Sequence, residues 1–276
     1  MIETLVIVNG EEFWADYFSE YKVYQVRLQT SKWLLHDGKL WVYDNGLKIR
    51  VDSLLWRIGA VQPHPNHRDI LELVRFSGVP CLNSAELLLR DLHRLTMLND
   101  LKEGALPLVT FSAVVGPGLM TQLPMQLPAI IKVGTYHAGY GKMRLSTLEQ
   151  WQDMTDMVFA TKDYFTIEPF IDYVRDIRCL AVGNQVWALA RSGSRWKANT
   201  GIVDSQLIPA PESVYNYTLT MMQRVNADLL ALDILETAEG QYHVLEYNAV
   251  PGLAAFPITV IEAIVERMKA KIQASS

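Results

Sequence analysis

Short apolar runs separated by turn residues organise the first eighty positions of the chain. Thr4 to Val8 (Thr-Leu-Val-Ile-Val) is apolar almost throughout, as expected of a buried strand, and Asn9-Gly10 then signals a turn. Val23 to Leu28 alternates and predicts a second strand. Asp37-Gly38 separates Trp33-Leu34-Leu35 from Leu40-Trp41-Val42, and Asn45-Gly46 separates Val42-Tyr43 from Leu47-Lys48-Ile49. Both dipeptides favour hairpin turns, so residues 30 to 51 are expected to form a small β-ribbon. Asp52 to Gly59 predicts a further strand that exits at Arg57. Ile70, Leu71, Leu73 and Val74 have helical spacing over His67 to Phe76, Gly78 stops that helix, and Val79 to Leu82 predicts a short strand. Asn83-Ser84 followed by Glu86 resembles a helix N-cap with a capping-box carboxylate, opening a helix expected to run to about Leu101. Strand, helix, strand in that order implies a parallel α/β unit.

After Pro107 the pattern turns strand-rich, with helices expected near 146–158, 212–230 and 257–273; in the last, Ile261, Ile264, Val265 and Met268 share a face. Gly104 to Ile131 carries no charged residue and is long enough to span a bilayer. Pro107, Pro117, Pro124 and Pro128 would interrupt a helix repeatedly, so strands joined by loops are expected there, and no membrane span.

Composition narrows the class of molecule. Half of the 276 residues are hydrophobic, enough for a large core in one or two domains. A net charge of −5 argues against nucleic-acid binding driven by bulk electrostatics. Cys81 and Cys179 are too few and too far apart for a disulfide framework or a zinc site, and Met1-Ile2-Glu3 provides no basic segment of a signal peptide. A cytoplasmic protein is expected.

Candidate chemistry gathers in three places. Ile130-Ile-Lys132-Val reads as a buried strand with one charge, followed by a loop with Gly134, Gly139 and Gly141 that closes on Lys142. Such a loop suits a phosphate, because glycines let backbone N–H groups approach closely and lysine adds a point charge; the same residues also suit a tight hairpin. Met143 after the lysine and the wrong glycine pairing exclude a Walker A loop, and no H-R-D or D-F-G phrase supports a protein kinase. In the second place, Val244 to Asn248 reads as a strand with Glu246 and Asn248 on one face, and Ala231 to Leu235 carries Asp233. Paired through a turn at 238–240, these would bring three oxygen donors together, a set that suits Mg²⁺ or a polar sheet edge. Third, Arg178 and Arg191 are expected to face each other across a hairpin turning at Gly183-Asn184, where they would either bridge acids or neutralise a transferred phosphoryl group.

Taken together these residues resemble the ATP-grasp superfamily, in particular RimK-like glutamate ligases and synapsins. The likeness is carried in order by Lys132, His137-Ala-Gly-Tyr-Gly-Lys142, Thr166-Ile-Glu-Pro-Phe-Ile171, Asp176-Ile-Arg-Cys179, Trp196-Lys-Ala-Asn-Thr-Gly201, Leu232-Asp-Ile234 and Glu246-Tyr-Asn248, over residues 80 to 253. The resemblance implies an α/β chain, α+β in its C-terminal part: an α/β domain with the β-ribbon over 1–82, then a grasp whose halves cover 83–167 and 168–276. It implies that Lys132, His137, Gly139, Gly141, Lys142, Glu168, Pro169, Phe170, Ile171 and Asp176 bind ATP, with Glu168 to Ile171 as the hinge beside the adenine. Asp233, Glu246 and Asn248 would hold one or two Mg²⁺, and Arg178, Arg191 and Asn199 would face the γ-phosphate and the acceptor. The implied activity is ligation of a carboxylate to an amine through an acyl phosphate, on small-molecule or peptide substrates; the alternative is a synapsin-like ATP-binding regulatory protein with little turnover. Homo-oligomerisation is left open. One position departs from the family: where an early Asp-Lys phrase is usual, this chain reads Arg90-Asp-Leu-His-Arg94, so His93 or Arg94 must substitute or the contact is missing.

Overall fold

The structure is a computed structural model that describes residues 3–59, 62–124, 126–137, 139–161, 163–193, 196 and 203–275. The chain opens with β1 (Thr4–Val8) and β2 (Lys22–Val26), then the ribbon of β3 (Lys32–His36), β4 (Lys39–Asp44) and β5 (Leu47–Val51). Both ribbon turns fall where the sequence places them: Asp37, Gly38, Asn45 and Gly46 all have positive φ, the backbone that two-residue hairpins with the right twist require. β6 (Ser53–Trp56), α1 (Pro65–Ser77) and β7 (Cys81–Leu82) complete a parallel sheet in the order β2-β1-β6-β7. The expected parallel unit is present. Between β1 and β2 a short 3-10 segment, Glu12–Phe18, buries Trp14 and Phe18, and the apolar alternation did not announce it. His67, near the start of α1, is buried.

The helix expected from Ser84 to Leu101 is two, α2 (Ala85–Asp91) and α3 (Arg94–Glu103). His93 adopts an extended backbone (φ −136°, ψ 113°), which turns the Arg94 N–H onto Thr135 Oγ1 at 3.2 Å and Tyr164 Oη at 3.1 Å. Tertiary partners outweigh local helix propensity at this joint.

β8 (Ser112–Val114), β9 (Ala129–Val133), β10 (Lys142–Leu145), α4 (Leu148–Phe159) and β11 (Phe165–Pro169) form an antiparallel sheet ordered β10-β9-β11-β8 with one helix. The uncharged 104–131 stretch thus contains strands and turns, and among the described residues no helix is long and apolar enough to cross a membrane. β12 (Arg175–Val182), β13 (Gln185–Gly193), β14 (Val203–Ile208), α5 (Glu212–Arg224), β15 (Leu229–Glu236), β16 (Tyr242–Asn248) and α6 (Ile258–Gln273) supply a five-stranded antiparallel sheet, ordered β14-β13-β12-β15-β16. α5 stops six residues short of the expected 230, because Asn226 takes a positive φ and the chain is extended from Leu229 onward.

Packing makes two unequal bodies. One continuous core joins Val6, Leu54 and Trp56 of the parallel sheet to Leu71, Leu88 and Leu101 of the helices and to Ile177, Leu232 and Val244 of the five-stranded sheet. A second cluster packs Trp14, Phe18 and Leu55 with Leu180, Ala231, Ile264 and Met268 under α6. Asn83 fastens the two sheets: its Nδ2 donates to the carbonyls of Leu229 and Ala249 at 2.6 and 2.8 Å, and its Oδ1 accepts the N–H groups of Asp228 and Leu229. The four-stranded antiparallel sheet has a small core of its own, Val114, Ile131, Leu145, Trp151, Met154, Val158 and Phe165. Each of these large side chains contributes about 1.5–3 kcal/mol when fully buried, and together they pack the sheet against α4.

Candidate active site

Strand alternation decides which side chains the small sheet presents. Ile131, Leu145 and Phe165 point into its core, so Ile130, Lys132, Lys142, Thr166 and Glu168 point the other way. In register, Lys132 lies opposite Lys142 on one side and Thr166 on the other, which puts two ammonium groups on neighbouring strands. Lys132 is buried and ion-paired with Glu168. Burial, reinforced by the nearby Arg94, pushes the Lys132 ammonium down to about 8 despite Glu168. The glycine loop returns as a closed hairpin tip, with Val133 N–H on the carbonyl of Gly141 at 2.8 Å. Gly141 is required there: φ is +63°, and a Cβ would stand 2.8 Å from the Tyr136 ring. Gly139 also takes a positive φ.

The five-stranded sheet changes character along one face. Leu180, Val182 and Ala231 lie under α6, whereas Asp176 and Asp233, further along the same faces of β12 and β15, look into a cleft, and Arg178 lines the neighbouring cavity. Arg178 and Arg191 are not opposite each other, as expected from the hairpin; Arg191 pairs with Asp176 and Arg178 with Leu189. They meet instead at Asp233. Arg178 Nε and Nη2 donate to its two oxygens at 2.8 and 2.7 Å, and Arg191 Nη2 donates to Oδ1 at 3.1 Å. Burial pulls the Asp233 carboxyl upward, but the two guanidinium groups outweigh it and hold the group below its ordinary value. Asp176, bonded to Arg191, is raised to about 6 by burial.

β15 and β16 pair as the turn at 238–240 requires, with Asp233 directly opposite Glu246. A bulge then shifts the register by one, so that Leu245 and Glu246 both line the cleft although they are consecutive. Glu246 accepts from Arg94 Nη1 at 3.1 Å and from Lys142 Nζ at 3.1 Å. Burial acts to raise its carboxyl, yet Lys142, Arg94 and Lys132 hold it well below the usual carboxylate range. Asn248 Nδ2 lies 3.5 Å from Asp233 Oδ2. Among the described residues no three His, Cys, Asp or Glu side chains form a cation cage. Two carboxylates and an amide oxygen are the smaller donor set that Mg²⁺ accepts when phosphate and water complete its shell, so the residues fit that ion.

These groups line an open cleft. Val109, Ile130, Phe170, Ile171, Tyr173, Trp196, Leu235 and Leu245 give it apolar walls, Pro169 and Glu168 form the strand end between the two sheets, and Lys132, Lys142, Asp176, Arg191, Asp233 and Glu246 line the charged end. With Arg94, Arg178 and Glu168 added, the charged groups number five cations against four carboxylates, which favours a polyanion. At the departure, residues 90–94, Arg94 is buried against Glu246, with Nε and Nη2 free of partners among the described residues, while His93 is exposed with its ring 4.9 Å from that of Tyr164. His137 faces a second, larger cavity beyond Glu246, shared with Arg178 and Asn248. Asn199 lies outside the described residues. Sequence reasoning did not single out Val109, Tyr173 or the orphaned hydroxyl of Thr166. Only Thr166 carried a signal, as a polar residue on the cleft face of a strand.

Residues 93–250 match the family described as Synapsin, ATP binding domain. Over 221 residues the chain is 22% identical to a synapsin of Drosophila melanogaster, covering 74% of this chain and 22% of that protein. It is 29% identical over 133 residues to a probable alpha-L-glutamate ligase of Enterobacter sp. (strain 638), covering 46% of this chain and 44% of that one. The matched segments thus span well under two thirds of either relative. In fold the chain is similar to D-alanyl-alanine synthetase A from Vibrio cholerae, with a TM-score of 0.74 at 14% identity over 99% of this chain and 98% of that one. The two sheets gripping a charged cleft are the ATP-grasp architecture, and this chain belongs to the synapsin ATP-binding-domain family within that superfamily.

Proposed function

We propose that this protein is an ATP-dependent ligase that joins a carboxylate to an amine through an acyl phosphate, on an amino-acid or peptide substrate. The observation that carries the reading is the arrangement around Glu246, a wall shared by the charged cleft and by a second, larger cavity. ATP would lie with its adenine among Phe170, Ile171 and the Glu168 strand end, and its phosphates toward Lys132, Lys142 and Arg94. Asp233, Glu246 and Asn248 would hold Mg²⁺, which when bound neutralises charge on the phosphate oxygens. The second cavity gives room for an acceptor at the far end of the phosphates.

In this reading a substrate carboxylate oxygen attacks the γ-phosphorus, the bond to the β,γ-bridging oxygen breaks, and ADP leaves. Arg178 and Arg191 neutralise charge on the transferred group. An amine then attacks the acyl carbon, the bond to the phosphate oxygen breaks, inorganic phosphate departs and the amine proton passes to solvent. Positioning and charge neutralisation supply the catalysis, which suits a cleft whose charges are fixed by buried pairs. A regulatory ATP-binding role with little turnover is the competing reading, favoured by the longer match to synapsin than to the glutamate ligase.

Release of ADP and phosphate from ATP/Mg²⁺, assayed with and without fractionated amino acids and peptides, separates the two. Release that depends on one fraction supports the ligase. Tight ATP binding with no release under any fraction refutes it in favour of the regulatory role.

A further inference from the structure

The cavity beyond Glu246 is bounded by the loop that leaves β6, the end of α2 and the turn that follows β16. Resting on the ligase reading above, we propose that Arg57 is a specificity-determining residue of this cavity, gripping a carboxylate of the substrate that takes no part in the bond being formed. Arg57 stands at the carboxyl end of a parallel strand, the edge at which open α/β sheets bind ligands, and its N–H continues the ladder to the carbonyl of Val8 at 3.0 Å. Its guanidinium is 5.4 Å from the Trp14 ring and donates through Nη2 to the carbonyl of Pro251 at 3.0 Å. Nε and Nη1 are buried and have no partner among the described residues. Every buried cation of the nucleotide cleft, by contrast, has a carboxylate. The Glu11 carboxylate acts on this charge from a distance but is bonded to Trp14 Nε1 at 2.7 Å; a guanidinium taken out of water with two nitrogens unpaired is unfavourable, so the geometry calls for an anion from outside.

The cavity also indicates which anion. Glu11 and Asp91 line it together with Arg57, and Arg178 there is already committed to Asp233 through two bonds. One spare cation flanked by Glu11, Asp91 and the shared Glu246 complements a singly charged group and repels a phosphate dianion. The phosphates of a nucleotide have Arg94, Lys132 and Lys142 on the other side of Glu246. A carboxylate fits, and a guanidinium is the side chain best shaped for it.

The test measures binding by calorimetry in the presence of Mg²⁺ and a non-hydrolysable ATP analogue. The probes are the common L-amino acids, each paired with the amide of each of its carboxylates, and the proteins are wild type, Arg57→Ala and Arg57→Lys. At least one acid is expected to bind wild type about ten- to a hundredfold more tightly than an amide of it, the worth of one hydrogen bond to a charged group. Arg57→Ala should lose that preference and bind acid and amide alike, with Arg57→Lys intermediate and nucleotide affinity unchanged in both. A residue that merely pins the Pro251 turn would weaken acid and amide equally. The proposal is overturned if wild type prefers no acid over its amide, or if Arg57→Ala keeps the preference. ADP release in the same mixtures reads the ligase assignment separately: acid preference without release leaves Arg57 standing and removes the ligase, whereas release without acid preference does the reverse.

Discussion

The two cavities that meet at Glu246 handle buried charge in opposite ways. On the nucleotide side, Lys132 pairs with Glu168, Arg94 and Lys142 with Glu246, and Arg178 and Arg191 with Asp233. On the far side, Arg57 forms no ion pair among the described residues, and the Asp91 carboxylate accepts the Ala249 N–H at 3.3 Å. A pre-paired cleft keeps its cations ionised and in place; phosphates entering it would exchange partners with carboxylates, which are then freed for a metal. An unpaired cavity discriminates, because its charges are satisfied only by the right ligand. On the proposed reading the fold would hold a general receptor for ATP beside a selective one for substrate, and substitutions on both sides of Glu246 test that division.

The largest effect is expected at the shared wall. Glu246→Gln removes the partner of Arg94 and Lys142 and one proposed metal donor at once. ADP release should fall at least about a hundredfold, the scale of losing one fixed electrostatic contact to a reacting phosphate. Asp233→Asn should match it, and thermal melts should show both variants folded. Wild-type turnover by either folded variant would falsify the metal assignment and make Glu246 a structural anchor for its two cations.

Next comes Arg94. Arg94→Ala should weaken nucleotide binding by about ten- to a hundredfold, as expected for a lost charge-assisted hydrogen bond. Arg94→Lys should recover part of that loss. His93→Ala should leave nucleotide affinity alone, because His93 is exposed and outside the cleft. If instead the His93 variant loses affinity and the Arg94 variant does not, the break between α2 and α3 serves some other purpose.

That break shows what was legible in the chain and what was not. Turn dipeptides and strand periodicity located the ribbon, the parallel sheet and the β15–β16 hairpin, because those signals are local. The interruption at His93 is set by Thr135 and Tyr164, more than forty residues downstream, and no local pattern carries it. The bulge that turns Glu246 and Leu245 into the same cleft is equally invisible to a period of two. Asp233 and Glu246 could be paired from their strands, but their cations could not, since Arg94 reaches Glu246 across 152 positions of sequence. Arg57 was visible only as the last charge on a strand; its missing partners are a fact of packing.

A smaller effect should come from pH. The Lys132 ammonium sits at about 8, lowered chiefly by burial, against an ordinary value of 10.5. Bound phosphates favour its charged form, so nucleotide affinity should fall as pH rises above about 8, approaching tenfold per pH unit if binding takes up one proton. Lys132→Met should flatten that dependence. Without nucleotide the sign reverses: between about 8 and 10.5 the unfolded chain holds a proton that the folded one has lost, so this residue's contribution to stability increases with pH. Calorimetry across pH 7 to 10 would reveal both trends, and a wild-type affinity that stays level through that window would place Lys132 away from the phosphates.

Asp91 should show the smallest effect, and it tests the other side of the comparison. Burial raises its carboxyl from 3.8 to about 7, with the Ala249 N–H opposing and Glu246 adding to the rise. Between those values the folded protein keeps a proton that the unfolded chain has released, so this group favours folding most below pH 4, and that contribution is lost as pH climbs through 7. Asp91→Asn keeps an acceptor oxygen for Ala249 and removes the charge. It should therefore stabilise the protein at pH 8 and leave it unchanged at pH 4. Asp91 is only half-buried, and solvent screening holds the gain to about 1 kcal/mol, or about 2–4 °C in melting temperature. Equal melting temperatures for wild type and variant at pH 8 would mean that the carboxylate is already compensated, and the selective cavity would then rest on Arg57 alone. A gain confined to high pH, with nucleotide affinity unaltered, would place the uncompensated charge on the acceptor side of Glu246, where a substrate carrying a cationic group could use it.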